Sequence, residues 1–394
     1  MPYIEGRVVH DADAHIMEVP TWLVDHADPD VRDKLRPNVE LGLSPGEAEA
    51  IDQMIGRHAD PEFRSRDEAE IMARKNFKAT GATIAADRSL ALDLLGVASQ
   101  LVFNTFNNGN LLILERSGDL DLAYGAARAH NRGMVEFCSA DPRLLPTCYV
   151  PLADFERSAA MAGEAIGTGA AALLVPSGCP NDHSPSHIAL DPVWRQAEEA
   201  GIPIVLHVGG GGKLLHPSYF VNGGAYVPDF HGGDENFRSV DYMAIPGPPA
   251  QTLATMIFDG VLERHPALKI GVIEQGAIWL PSWMRQMESA FDAFLKHEQR
   301  LQDLSLRPSE YVHRQVKATP YPTEDVGWIV EQAGADVVLF STDFPHVEGG
   351  RRPFERFEAS LGDASESVRQ AFYCDNFVEL MGSAIDRVPL ATAS

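Results

Sequence analysis

Short apolar runs alternate with helical patterns along most of the chain. Continuous runs such as Ile204–Leu206 and Val337–Phe340 are typical of strands that a parallel sheet buries on both faces. Eight runs predict strands, namely Arg7–Asp13, Gln100–Thr105, Leu145–Leu152, Ala171–Pro176, Pro203–Val208, Leu268–Glu274, Arg314–Thr319 and Val337–Thr342. Helical spacing occupies the segments Leu120–Ala140, Phe155–Gly167, Asp191–Ala200, Gln251–Arg264 and Thr323–Ala333. Strands that alternate with helices predict βαβ units, and eight of them favour an α/β fold of the TIM-like (β/α)8 barrel type.

Two segments are longer than a minimal barrel requires. Residues 21–85 are polar, charged and helical in pattern, whereas residues 209–250 are rich in glycine and proline. A loop as long as the second segment is usually a lid or a binding loop. Because we find no internal repeat and no linker, we expect one domain over residues 1–394 with two insertions.

The segment Trp279–Arg314 predicts one long helix, or two. Its apolar residues follow helical spacing: Trp279, Trp283, Met287, Ala290, Phe291 and Phe294. This aromatic stripe indicates core packing or a subunit interface rather than a cofactor site.

Charge and cysteine usage exclude several classes of partner. The chain has 32 Lys and Arg against 56 Asp and Glu, a formal net charge of −24, which repels nucleic-acid phosphates and anionic membranes. The amino-terminal residues lack the apolar region of a signal peptide, and no apolar run reaches the length of a membrane span. The cysteines are far apart and form no C-x-x-C pair, which is typical of reduced thiols: Cys138, Cys148, Cys179 and Cys374. We therefore expect a cytoplasmic protein without nucleic-acid or membrane partners.

Polar side chains stand at the ends of several predicted strands. Asp13 and His15, two residues apart near the end of the first strand, should face the same side. His207, Glu274 and Asp343 end the fifth, sixth and eighth strands. Barrel active sites lie at these carboxyl ends, and polar groups there cost free energy unless they are paired, hydrogen-bonded or metal-bound. Since imidazole and carboxylate groups are common metal ligands, the pattern predicts a metal site.

Three further residues have more than one interpretation. Glu274 could act as a general acid or base with a raised pKa, or simply cap a helix or lie on the surface. His346 could orient Asp343, contact a substrate, or be an ordinary loop histidine. Glu18 fits a supporting role or a helix start better than a ligand. The segment 231–235 of the long loop could reach the site, although a solvated loop is the simpler interpretation.

The strand-end motifs resemble those of a known family. Asp-Ala-Asp-Ala-His at 11–15, Ile-Val-Leu-His-Val-Gly at 204–209 and Ser-Thr-Asp-Phe-Pro-His at 341–346 resemble the amidohydrolase-related proteins of the aminocarboxymuconate-semialdehyde decarboxylase group. Residues 87–97 and 141–144 also fit that group. The resemblance covers nearly the whole chain and is weakest in the two insertions. It implies a metal-dependent barrel that acts as a nonoxidative decarboxylase or, less often, as a hydrolase.

Residue by residue, the resemblance implies that Asp13, His15, His207 and Asp343 bind one divalent metal ion, with Asp343 also able to move protons. Zinc is the first expectation, and manganese or iron are alternatives. Asp13 stands where relatives often have His or Glu. Glu274 stands where many decarboxylase relatives carry a catalytic histidine, which leaves the acid–base assignment open.

These observations lead to two functional hypotheses. The first is a metal-dependent carboxy-lyase for a small aromatic or unsaturated carboxylic acid, in which Asp343 or Glu274 protonates carbon. The alternative is a hydrolase that attacks an ester, lactone or amide with metal-activated water. The aromatic stripe together with the resemblance also predicts a homo-oligomer, most simply a two-fold dimer.

Overall fold

Seven parallel strands form the sheet of this protein in a computed structural model, which describes residues 2–35, 45–212, 214–225 and 238–390. Each strand pairs with the next along the chain. They are β1 (His10–His15), β2 (Ser99–Phe103), β3 (Leu144–Tyr149), β4 (Ala172–Leu174), β5 (Ile204–His207), β6 (Ile270–Ile273) and β7 (Val316–Ala318). All strand residues are buried, as expected for apolar runs covered on both faces. Their order confirms the predicted α/β class.

The eighth predicted strand, Val337–Thr342, is not a regular strand. Val338 forms one isolated parallel bridge to Ala318 of β7. On the other side, the Ala12 amide of β1 donates to the Phe340 carbonyl at 3.1 Å. The segment therefore lies between the last strand and the first, and the prediction of regular strands is confirmed for seven of the eight.

Hydrogen bonds to residues outside the sheet interrupt the strand pairing of this last segment. The Phe340 amide donates to the Phe372 carbonyl at 2.9 Å, and the Asn376 side-chain amide donates to the Val338 carbonyl at 2.6 Å. These bonds use backbone groups that a regular strand would offer to its neighbours. The sequence pattern of the segment contained no sign of these distant partners.

Helices follow most strands and occupy both insertions. They are α1 (Trp22–His26), α2 (Pro29–Arg32), α3 (Pro45–Arg57), α4 (Pro61–Glu68), α5 (Ala85–Leu95), α6 (Asn107–Glu115), α7 (Leu120–Cys138), α8 (Phe155–Thr168), α9 (Asp191–Ala200), α10 (Ser239–Tyr242), α11 (Gly247–Phe258), α12 (Val261–Arg264), α13 (Leu280–Phe294), α14 (Gln299–Gln302), α15 (Pro308–Gln315), α16 (Val326–Ala333), α17 (Pro353–Leu361), α18 (Glu366–Gln370) and α19 (Asn376–Met381). Short 3₁₀ turns cover Asn76–Lys78, Ile188–Leu190, Pro217–Phe220, Ala335–Val337 and Gly382–Arg387, and Ala371–Asp375 is a π-helical turn.

Two helix predictions were wrong in their continuity. The predicted helix Gln251–Arg264 is divided into α11 and α12, because Gly260 between them adopts a φ of +74°, outside the helical range. The segment Trp279–Arg314 contains three helices rather than one or two, since the chain turns after Phe294 and Pro308 starts a new helix.

The aromatic stripe of α13 packs mainly into the core. Trp283, Met287 and Phe291 are buried, and the Trp279 and Trp283 rings meet edge to face at 5.2 Å. Phe294 is 52% exposed. Core packing therefore explains most of the stripe in this chain.

Buried apolar side chains form one cluster that extends from Ile4 to Ala384. All four cysteines are free. Within the described ranges, no helix is both long and apolar enough to cross a membrane.

His130 of α7 provides a test of pH-dependent stability. It is fully buried, accepts a hydrogen bond from the Trp22 indole at 3.3 Å, and burial lowers its pKa to about 3. Because the unfolded chain binds the proton more readily, stability should fall as the pH drops below about 6.5. We expect wild type to lose about 1.4 kcal/mol more than His130→Gln between pH 8 and 5.5, measured by urea unfolding. An equal loss in both proteins would contradict this, and His297→Gln, at an exposed histidine, serves as the control.

Candidate metal centre

Strand β1 places Asp13 and His15 side by side. Both are 1% exposed, and the His15 Nε2 lies 3.2 Å from the Asp13 Oδ1. The His15 Nδ1 is 2.8 Å from the Asn104 carbonyl at the end of β2. A ring nitrogen that donates to a carbonyl fixes the tautomer and leaves the other nitrogen with a free lone pair. The Nε2 atom is therefore available to a cation.

Strands β5 and β6 add His207 and Glu274. The His207 Nε2 is 3.4 Å from the Asp13 Oδ1 and 3.3 Å from the Glu274 Oε2. Its Nδ1 is 3.0 Å from the Val208 carbonyl, so this ring also directs its second nitrogen into the cluster.

The segment after Phe340 contributes Asp343 and His346. The Asp343 Oδ1 is 3.5 Å from the His15 Nε2 and 3.1 Å from the His346 Nδ1. Burial raises the pKa of Asp343 well above its ordinary value and lowers that of His346 to about 4. The His346 ring stacks on His15 at 3.9 Å, and its Nε2 is 2.8 Å from the Thr105 hydroxyl.

The predicted residues come together in two overlapping groups. Asp13, His15, His207 and Glu274 offer donor atoms within 4.8 Å of one another, as do His15, Glu274, Asp343 and His346. Glu274 and His15 belong to both groups, whereas Asp13 and His207 belong only to the first and Asp343 only to the second. Among the described residues, the four predicted ligands therefore do not form one such group, and Glu274 is more central than three of them.

The donor atoms fit a divalent metal ion. The Asp13 Oδ2, the His15 Nε2 and both carboxylate oxygens of Asp343 are buried without a hydrogen-bond partner among the described residues. Leaving such groups unpaired costs free energy, and lone pairs from several groups converge here. Burial alone would raise the pKa of Asp13. Contacts with His15 and His207 instead lower this pKa below its usual range, which keeps the carboxylate ionised. Imidazole nitrogens with carboxylate oxygens suit zinc or manganese.

The backbone is strained where two of the carboxylates leave their strands. Glu274 has a φ of +54° and Asp343 a φ of +52°, in the left-handed region that side chains other than glycine rarely adopt. Hydrogen bonds hold both: the Glu274 amide donates to the Thr319 hydroxyl at 2.8 Å, and the Asp343 amide donates to the Asp13 carbonyl at 2.9 Å. Strain of this kind concentrates at functional sites.

Asp11 supports the site and was not among the predicted residues. It is fully buried and accepts bonds from the Thr342 amide at 2.8 Å, the Thr342 hydroxyl at 2.6 Å and the Gln100 side chain at 2.9 Å. Burial raises its pKa to about 6. This carboxylate fixes the segment before Asp343 onto β1. Because Asp11 and Asp13 are two residues apart, the sequence places both on one face of the strand. This spacing does not distinguish a carboxylate that supports the backbone from one that binds a metal.

Asp11→Ala should destabilise the protein by about 3 kcal/mol, because the substitution leaves four buried donors, the Asp13 amide among them, without this acceptor. Urea unfolding measures the loss. Asp363→Ala, at an exposed aspartate, should change stability by less than about 0.5 kcal/mol. Equal stability of the two variants would show that Asp11 does not hold the segment.

Glu18 supports the start of α6. Its carboxylate accepts from the Thr105 amide at 2.9 Å, the Phe106 amide at 3.2 Å and the Asn107 amide at 3.1 Å. These donors are the backbone groups that a helix start leaves unsatisfied. The residue thus fixes the loop that carries Thr105 beside His346. Residues 231–235 of the long loop lie outside the described residues.

A cavity opens beside the carboxylates. Its empty volume is about 260 Å³, including solvent at its mouth. It is lined by Asp13, Glu274, Thr319, Pro320, Tyr321, Pro322, Ser341, Thr342, Asp343, Glu348 and Gly349.

The sequence itself matches a family model. The model, described as amidohydrolase, covers residues 114–380. The chain belongs to the amidohydrolase family. The resemblance drawn from the strand-end motifs is thereby confirmed. No curated protein sequence matches this amidohydrolase significantly.

Several solved structures share the fold of this amidohydrolase. An amidohydrolase from Mycobacterium avium subsp. paratuberculosis K-10 is 22% identical with a TM-score of 0.74, covering 96% of this chain and 100% of its own. A 5-carboxyvanillate decarboxylase from Novosphingobium aromaticivorans DSM 12444, complexed with manganese and 4-hydroxy-3-methoxy-5-nitrobenzoic acid, is 17% identical with a TM-score of 0.62, covering 95% and 96%. A 2,6-dihydroxybenzoate decarboxylase complexed with 2,6-dihydroxybenzoate is 19% identical with a TM-score of 0.60, covering 96% and 99%. At these identities the likeness establishes the fold.

Proposed function

We propose that this amidohydrolase is a metal-dependent nonoxidative decarboxylase of a small aromatic or unsaturated carboxylic acid. The observation that carries the proposal is the position of Asp343, a buried carboxyl group beside the donor cluster and on the wall of the cavity. Decarboxylation requires a proton donor at the carbon that loses CO₂. Burial raises the pKa of Asp343, whereas a bound cation would lower it, so this group could take up a proton and pass it to that carbon.

The proposed ligands of one divalent ion are Asp13, His15, His207 and Asp343. When bound, such an ion supplies positive charge that neutralises and orients an anionic substrate. His346 would orient Asp343 through its 3.1 Å contact, and Glu274 would accept or donate a proton at its Oε2. Zinc is the first expectation for the ion. The manganese complex of the 5-carboxyvanillate decarboxylase makes manganese the second.

The proposed architecture is a complete (β/α)8 barrel in which residues 337–342 stand as the eighth strand. The bonds of this segment to Ala318 and Ala12 on its two sides support that assignment. We also propose a two-fold dimer, which light scattering at micromolar concentration tests. A monomer at that concentration would exclude the dimer.

The test of function compares CO₂ release with hydrolysis. Purified protein loaded with zinc or manganese is incubated with hydroxylated and methoxylated benzoic acids and with unsaturated acids, and in parallel with aryl esters and lactones. We expect CO₂ release from an acid, with one deuterium in the product carbon when the solvent is D₂O, because the proton comes from an exchangeable group. Ester or lactone hydrolysis without CO₂ release would instead favour the hydrolase.

A further inference from the structure

The loop after β7 holds both backbone polar groups of Glu274. The Glu274 amide donates to the Thr319 hydroxyl at 2.8 Å, and the Glu274 carbonyl accepts from the Tyr321 hydroxyl at 2.7 Å. Pro320 stands between these two residues, and its ring restricts the backbone there. Because Glu274 has a φ of +54°, its conformation costs free energy unless the surroundings hold it. The two hydroxyl groups therefore stabilise the conformation in which Glu274 meets the donor cluster.

The Tyr321 side chain has a defined place beside Glu274. Both residues line the cavity, which Asp343 also lines. The Tyr321 ring packs against Gly276, where an added Cβ atom would lie 3.1 Å from the ring. Gly276 has a φ of +67°, so the chain turns two residues after Glu274 and its backbone approaches the ring closely. Contact with this turn fixes the ring from which the hydroxyl reaches the Glu274 carbonyl.

Glu324 joins the same two loops. Its Oε2 accepts from the Ala277 amide at 2.8 Å, after β6, and from the Tyr321 amide at 3.3 Å, after β7. The Glu324 side chain is buried, so these bonds are shielded from water. The backbone of Tyr321 is thereby held against the chain that follows Glu274, and its hydroxyl stays within reach of the carbonyl.

The second insertion contacts Tyr321 through Tyr242. Tyr242 is the last residue of α10, and the centroids of the Tyr242 and Tyr321 rings lie 5.2 Å apart. The Tyr242 hydroxyl donates to the Glu324 Oε1 at 3.4 Å. An aromatic pair at this distance stabilises both rings. The segment predicted to be a lid or a binding loop thus packs on the residue that holds Glu274.

We infer that Tyr321 is a positioning residue for Glu274. Its hydroxyl fixes the Glu274 carbonyl, which helps to keep the Glu274 Oε2 3.3 Å from the His207 Nε2. This role rests on the proposed function and deepens it, because the proposed function gives Glu274 the transfer of a proton. A small displacement of such a group lowers the rate of the reaction more than the affinity for the substrate.

Tyr321→Phe removes the hydroxyl and keeps the ring. On the acid with the fastest CO₂ release, we expect kcat to fall about 10-fold and KM to change less than about twofold. In Glu274→Gln protein the same substitution should change kcat less than about twofold, because no proton-transferring carboxylate is left to position. Tyr219→Phe, at an exposed tyrosine, is the matched control and should leave kcat and KM unchanged.

A second measurement needs no substrate. Hydrogen–deuterium exchange is followed by mass spectrometry on peptides that cover residues 270–278 of the metal-loaded protein. Exchange in Tyr321→Phe should be about fivefold faster than in wild type, because the segment loses a bond that holds its strained conformation. The metal content should equal that of wild type, which shows that the donor cluster is intact.

Several outcomes would overturn the positioning role. Equal losses of kcat in the wild-type and Glu274→Gln backgrounds would show that Tyr321 acts on another group. An unchanged kcat, or a raised KM alone, would show that the bond to the carbonyl does not serve turnover.

The positioning role and the proposed function can fail separately. Faster exchange in Tyr321→Phe without CO₂ release from any acid would support Tyr321 as the residue that positions Glu274 and reject the decarboxylase. CO₂ release with kcat and exchange both unaffected by Tyr321→Phe would do the reverse.

Discussion

His207→Ala should lower the bound metal from about one equivalent per chain toward none. The His207 Nε2 lies 3.4 Å from the Asp13 Oδ1 and 3.3 Å from the Glu274 Oε2, so its removal opens the middle of the donor cluster. Loss of one ligand from a site of about four weakens affinity steeply, because the remaining donors cannot complete the coordination shell. Elemental analysis after dialysis against metal-free buffer measures the occupancy and also identifies the ion.

His297→Ala is the matched control, since His297 is exposed and lies outside the cluster. It should retain the wild-type metal content. A second readout is thermal unfolding: metal added to the chelator-treated wild type should raise its Tm, whereas His207→Ala should show little change. Full occupancy in His207→Ala would reject the proposed ligand set.

Glu274→Gln should keep the metal and lower turnover by a factor of about 10²–10⁴, the usual contribution of a general acid or base. The amide keeps the size of the side chain, so the bonds of the Glu274 backbone to Thr319 and Tyr321 should remain. What is lost is the ability to accept a proton at the Oε2, which lies 3.3 Å from the His207 Nε2.

Metal content and kcat are measured on the same preparations, with Glu331→Gln at an exposed glutamate as the control. If the metal leaves with the substitution, Glu274 is a ligand. Because Glu274 belongs to both donor groups, a ligand role is the main alternative to a role in proton transfer. If kcat is unchanged, the carboxylate belongs to the scaffold.

The strands and most helices were predictable because the local pattern of apolar and polar residues indicates which of their residues are buried. A run such as Ile204–Leu206 has no polar side chain to expose, and only a sheet covered on both faces accommodates it. Helix α9 has the predicted bounds Asp191–Ala200, since Pro192 can start it and Gly201 ends it in a left-handed conformation. The prediction of a regular eighth strand was wrong because this segment bonds to Phe372 and Asn376. No local sequence pattern connects those two residues to it.

The candidate site was predictable where its side chains follow a buried strand, and not elsewhere. His207 and Glu274 each terminate an apolar run, which makes a polar residue conspicuous. Asp11 stands two residues before Asp13 on the same strand, so spacing alone does not distinguish this supporting carboxylate from a ligand. Only its bonds to Thr342, 331 positions away along the chain, reveal that role.

The link between Asp11 and Thr342 spans 331 positions of the chain. During synthesis on the ribosome, Asp13 and His15 emerge early, whereas Asp343 follows only when most of the protein has been made. An incomplete nascent chain can therefore present some of the donor atoms but not the assembled set. With the proposed ligand set, metal loading at full affinity would be a late event of biogenesis, and fragments that end before residue 343 should compete poorly for the ion.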